Sequence, residues 1–128
     1  PPWFDDEFDA LGAAYFRDHG FDAWVSKATR LPGDPAGVTS EHVVDWVVSH
    51  LADRAEAVLL AGNGFRTAGA IEELERRTGR IVVGANQALL WGVLAATSIP
   101  WTFSGYGRLL RTSASARSES EKPPSERS

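Results

Sequence analysis

Apolar and polar positions along the chain change period several times, and each change marks an element. Over residues 5–19, Phe4, Phe8, Leu11 and Tyr15 recur at helical spacing and predict an inward-facing stripe. Asp5, Asp6 and Glu7 stand in its first turn, where carboxylates suit the helix dipole. Gly20 suits the residue just past its end. Residues 21–26 predict a short strand, with Trp24 interrupting the alternation. Residues 31–38 carry Pro32, Gly33, Asp34, Pro35 and Gly37 and predict a loop. Thr39 or Ser40 then caps a helix reaching about Ala52, with Val43, Val44, Val47, Val48 and Leu51 as its buried face.

Residues 57–61 are a continuous apolar run, as a central parallel strand requires. Residues 67–78 predict a helix with Ala70, Ile71 and Leu74 inward, Glu72/Arg76 and Glu73/Arg77 paired on the wet face, and Gly79 as the stop. Residues 80–83 predict a strand with Ile81, Val82 and Val83 buried. Asn86 can cap a last helix reaching about Thr97. Leu89, Leu90, Trp91, Val93 and Leu94 make that helix apolar nearly all round, so it should be covered on several sides. Strands alternating with helices predict an α/β fold: a three-layer sandwich with a small, flavodoxin-like parallel sheet. Three strands leave open edges, which implies that something else completes the sheet.

Composition narrows the function. The chain has 128 residues, 43% apolar and 23% charged, enough for one domain. A net charge of −4 with no basic block argues against nucleic acid. No apolar run reaches the ~18 residues of a membrane span, and the first residues do not form a targeting peptide. These features favour the cytoplasm. There is no cysteine, which rules out disulfides, thiolate metal sites and a cysteine nucleophile in this chain. There is no methionine either, which suggests a trimmed chain or a fragment. From residue 112 the sequence turns Ser-rich and nearly devoid of apolar side chains, so residues 112–128 are expected to be a disordered tail beside a domain of residues 1–111.

Candidate chemistry lies where the second predicted strand meets a helix. Ligands of open α/β sheets bind at the carboxyl ends of the strands. There Gly62, Asn63, Gly64 and Phe65 lead into the helix starting near Thr67. The first amides of a helix lack internal partners, and the dipole favours an anion above them. Two glycines let that anion approach, and the Asn63 amide can donate or accept. Arg66 could pair with a carboxylate or be a surface charge, and Asn86 should open at the same sheet edge. The same residues could equally form only a tight turn. They are neither a Walker phosphate loop, whose spacing and lysine are missing, nor a dinucleotide fingerprint, whose third glycine is absent. His19, His42 and His50 stand near helix ends without metal spacing, and the acids at residues 5–9 read as a solvated face. Trp46, Trp91 and Trp101 read as packing residues.

Several stretches together resemble the C-terminal lobe of the aspartate/glutamate racemase superfamily, in its arylmalonate decarboxylase and maleate cis-trans isomerase branch. They are Leu59-Leu60 before the turn, Arg66-Thr67 after it, residues 70–75, residues 86–91, and residues 104–110; residues 3–6 and 19–21 resemble the opening of that lobe. The resemblance implies two pseudo-symmetric lobes with the site in the cleft between them. It implies a cysteine that moves a proton beside a carboxylate or attacks a double bond, backbone amides and hydroxyls that hold the carboxylate, and no metal or organic cofactor. A small carboxylate or dicarboxylate would be the substrate, and a missing N-terminal lobe the partner, with a homo-oligomer also possible. Gly62, Asn63, Gly64 and Phe65 would bind the carboxylate, with Trp3, Arg66 and Asn86 lining the pocket. This sequence departs from the family pattern at three positions. Gly62 stands where the resemblance places the second-lobe cysteine, Trp3 where it places a tyrosine, and Phe8 where it places an asparagine. The implied reading is a decarboxylase or isomerase whose thiol comes from elsewhere. The alternatives are a carboxylate-binding protein without catalysis, or a flavodoxin-like module that holds a phosphate or a protein partner.

Overall fold

The computed structural model describes residues 5–25, 31–62, 64–97 and 99–111. The expected tail, Trp3 and Asn63 lie outside the described residues. Helix α1 spans Asp6–Asp18, α2 Ser40–His50, α3 Ala68–Thr78, α4 Ala85–Thr97 and α5 Arg108–Arg111; strand β1 spans Ala57–Leu60 and β2 Ile81–Gly84. The two strands run parallel in the register Ala57↔Ile81, Val58↔Val82, Leu59↔Val83 and Leu60↔Gly84, with α3 as the crossover between them. The chain is therefore an α/β unit built on a small parallel sheet.

The core lies between that sheet and the α2–α3 pair. Ile71, Leu74 and Val82 are fully buried, with Ala70 beside them and Val43, Val44 and Val47 of α2 packed opposite. Burying a side chain such as Leu74 stabilises by about 1.5–3 kcal/mol. These positions follow the predicted helical stripes closely. Local chemistry sets the ends. The Thr39 hydroxyl accepts from the His42 amide at 3.2 Å while His42 Nδ1 accepts from the Thr39 amide at 3.3 Å. Gly79 ends α3 in the left-handed conformation, φ 69°. The predicted loop adds one short 3-10 turn, Pro35–Gly37, after which Val38 drops into the core.

Five expectations fail for identifiable reasons. Residues 21–25 are not a strand. Their backbone groups are used locally, Ala23 N–H donating to Phe21 O at 2.9 Å and Ala23 O accepting from Arg17 Nη1 at 2.9 Å. Side chains hold the segment instead: Arg54 lies 4.1 Å above the Trp24 ring and pairs with Asp22 at 3.1 Å. Helix α1 forms, capped by Asp5 Oδ1 accepting from Phe8 N–H at 2.7 Å, but its predicted inward face stays exposed at Phe8, Leu11 and Tyr15, and only Ala13 is buried. Helix α4 also lacks the expected cover, since Leu89, Leu90 and Val93 are exposed. In β2, only Val82 is fully buried. Strand residues alternate between faces, so Ile81 shares the open face with Leu59, and both are exposed.

The fifth correction concerns charge. The i,i+4 pairs do not form. Glu73 pairs with Arg76 one residue nearer, at 2.6 Å, and Arg77 reaches Asp45 of α2 at 3.4 Å. Glu72 turns to the chain's end, its Oε2 accepting from Gly107 N–H at 2.7 Å and its Oε1 pairing with Arg111 at 3.1 Å. Glu75 is buried and accepts from the Val82 amide at 3.2 Å and the Arg108 amide at 2.9 Å. Together Glu72 and Glu75 tie α5 to α3 and β2. Gly107 makes that approach possible. Its φ is +78°, and a Cβ there would lie 2.5 Å from Ile71 Cγ2.

Candidate functional site

The carboxyl ends of β1 and β2 open on the same edge, as the parallel register requires. A cavity of about 280 Å³ lies there, walled by residues 64–68 on one side and by Asn86 and Gln87 at the start of α4 on the other. Of the residues expected to form a site, the structure brings Gly64, Phe65, Arg66 and Asn86 to this cavity. Gly62 sits just before it with φ 93°, in the left-handed region that favours glycine. Phe8, where the resemblance places an asparagine, is exposed on α1.

Each wall residue offers something different. The Phe65 side chain belongs to the hydrophobic core, so only its backbone can face a ligand. The Thr67 amide donates to Phe65 O at 3.1 Å and is turned inward. The amides of Ala68 and Gly69 open the eleven-residue α3, and no side-chain cap serves that end. Arg66 is exposed and makes no ion pair among the described residues. Arg66 and the N-terminus of α3 both line the cavity, and both bring positive charge to it.

Asn86 does not cap α4, contrary to expectation. The helix starts one residue earlier, and Gln87 does the capping: its Oε1 accepts from the Gly84 amide at 3.2 Å, while its Nε2 donates to Tyr106 O. Gln87 is thus buried and fully occupied, and it ties residues 104–107 to the cavity wall. Thr67, not singled out from the sequence, is the other buried polar residue of the wall. The signal was present: a threonine at a predicted helix start is either a cap or a free hydroxyl.

The resolved shifts belong to an exposed pair on α3. There the hydrogen bond from Arg76, aided by its charge, holds the Glu73 carboxyl below its ordinary value and raises the Arg76 guanidinium. Among the described residues no group of three or more His, Asp or Glu could hold a metal ion, and no helix is long and apolar enough to cross a membrane. His19 and His50 bond the carbonyls of Tyr15 and Trp46 in their own helices, each at 2.8 Å, which is structural work.

Known proteins give a consistent picture. The model of the family described as arylmalonate decarboxylase matches residues 4–110. A crystal structure of arylmalonate decarboxylase matches at TM-score 0.71 and 28% identity, over 84% of this chain and 49% of that one. Unliganded arylmalonate decarboxylase matches at TM-score 0.72 and 26% identity, with the same coverage. A glycine-to-cysteine mutant of arylmalonate decarboxylase in a sulfate ion associated form matches at TM-score 0.72 and 27% identity, over 84% of this chain and 48% of that one. Among curated proteins, none matches the sequence. The chain spans about half the length of the solved relatives. With the family model covering nearly all of the described residues, the chain belongs to the arylmalonate decarboxylase family.

Proposed function

We propose that this chain supplies the carboxylate-binding half-site of a cofactor-independent decarboxylase or cis-trans isomerase acting on a small carboxylate or dicarboxylate. The observation that carries the reading is the cavity at the strand ends, which joins the uncapped N-terminus of α3 to Arg66, a cation with no ion pair among the described residues. Amides at Gly62 and Gly64 would hold one carboxylate, Arg66 would balance its charge, and Asn86 and Trp3 would line the space. Preorganised donors of this kind stabilise the charge that grows on a carboxylate-derived enediolate. A relative's sulfate-associated form fits a fold that accepts oxyanions. The thiol and the facing wall would come from the other half of the relatives' length, whose lobe would also cover the exposed Leu89, Leu90 and Val93 of α4.

A second reading has its own support. Gly62 has φ 93°, so a cysteine restored there would be strained. That conformation favours a carboxylate-binding homologue without catalysis. Both readings predict that this chain binds phenylmalonate or maleate and turns over neither. Calorimetric titration tests binding, and carbon dioxide release or fumarate formation tests turnover. Turnover by this chain alone refutes the division of labour. Absence of binding removes both readings.

A further inference from the structure

Thr67 occupies the N-cap position of α3, where a threonine hydroxyl ordinarily accepts from an amide two or three residues on. Here it makes no such bond. Its backbone is already helical, φ −86° and ψ −23°, which turns the side chain away from the cap geometry. The residue is only 4% exposed, and among the described residues its hydroxyl has no hydrogen-bond partner. Its Oγ1 lies toward the end of β2, since a Cβ built on Gly84 would meet it at 3.1 Å. Thr67 also walls the cavity. Among the described residues the fully enclosed side-chain atoms without a partner are the indole nitrogens of Trp91 and Trp101, and the Thr67 hydroxyl is not one of them, so it keeps an open side at the cavity wall. Thr67 thus stands at the start of α3, beside the end of β2 and on the cavity wall.

We propose that Thr67 is a ligand-binding residue, its hydroxyl donating to a carboxylate oxygen seated over the N-terminus of α3. The inference rests on the carboxylate reading and adds a named side chain to it. The bound anion would accept the hydrogen bond that the hydroxyl otherwise offers to the open cavity. A neutral donor suits this position because it is buried, where a second cation would need its own counter-charge. Arg66 and Thr67 then act from the same cavity wall.

The test uses the whole chain with malonate as the probe. Malonate affinity is measured by titration calorimetry, and the melting temperature of the apo chain by scanning calorimetry. Thr67→Val keeps the shape and removes the donor. It should weaken malonate binding by about tenfold or more, the loss expected for one hydrogen bond to a charged group. It should leave the apo melting temperature unchanged or higher. Thr67→Ser should stay within about threefold of the parent affinity, on the same hydrogen-bond argument. If Thr67→Val binds malonate as the parent does, Thr67 is not a ligand, although the carboxylate reading stands. If Thr67→Val fails to fold or melts lower, the hydroxyl works within the fold, and the inference is overturned. If the parent chain binds no malonate, the carboxylate reading itself fails first.

Discussion

Replacing Gly107 by alanine tests how the end of the chain is held. The residue has φ +78°, where an alanine costs about 1 kcal/mol. The new methyl would also lie 2.5 Å from Ile71 Cγ2 and 3.3 Å from the Glu75 carboxylate. Ile71 is fully buried and cannot swing away, so overpacking adds about 2 kcal/mol. The sum, about 3 kcal/mol, is a large share of the roughly 5–15 kcal/mol that holds a small domain folded. Gly79 is the matched control. It is also left-handed, at φ +69°, but a Cβ there meets nothing within 4 Å. Gly79→Ala should therefore cost only the backbone share, about 1 kcal/mol. Urea unfolding of both variants, compared at equal m-value, measures the difference. In thermal unfolding, Gly107→Ala should melt about 12 °C or more below the parent, at roughly 4–8 °C per kcal/mol. Equal costs for the two variants would mean that Gly107 does not pack against Ile71, and the account of how α5 docks would be wrong.

Other consequences are as direct. Leu74→Ala empties a fully buried position and should cost about 3–5 kcal/mol in urea unfolding. Glu75→Gln turns an acceptor that serves the Val82 and Arg108 amides into one that can serve only one of them, at a cost of about 1–3 kcal/mol. Arg66→Gln should weaken malonate binding and flatten its dependence on salt, read by calorimetry at two ionic strengths. Glu73 titrates below its ordinary value because Arg76 favours its charged form, so its contribution to stability is present at neutral pH and fades as pH falls through the lowered value. Carboxyl-carbon NMR of Arg76→Gln should show the Glu73 titration moving back up; an unmoved titration would contradict the assigned cause.

Much of the fold was legible because the buried parts follow simple periods. Ala70, Ile71 and Leu74 share one face of a helix, residues 57–60 are an unbroken apolar run, and Gly79 marks a stop. The failures share a different cause. Phe8, Leu11, Tyr15, Leu89 and Val93 carry the right spacing for burial, but periodicity says which side is apolar, not whether a neighbour covers it. Residues 21–25 have strand-like composition but no partner strand among the described residues; Arg17 bonds the Ala23 carbonyl that a ladder would have used, and Arg54 holds the Asp22 side chain. Glu72 read as a wet-face charge, and Glu75 drew no reading, because partners of both at residues 107–111 lie more than thirty positions away. At the site, the expectation that the glycine turn, Arg66 and Asn86 meet at one sheet edge matches the cavity that Gly64, Phe65, Arg66 and Asn86 line. Thr67 was passed over because a threonine there looks like an ordinary cap, and only the backbone angles show that it is not.

Amide shifts of the 15N-labelled chain titrated with malonate would test the cavity most directly. The account predicts saturable shifts gathered at Gly62, Gly64, Ala68 and Asn86, with little change along α1 and α2. Shifts scattered over the surface, or a spectrum unmoved at millimolar malonate, would contradict it.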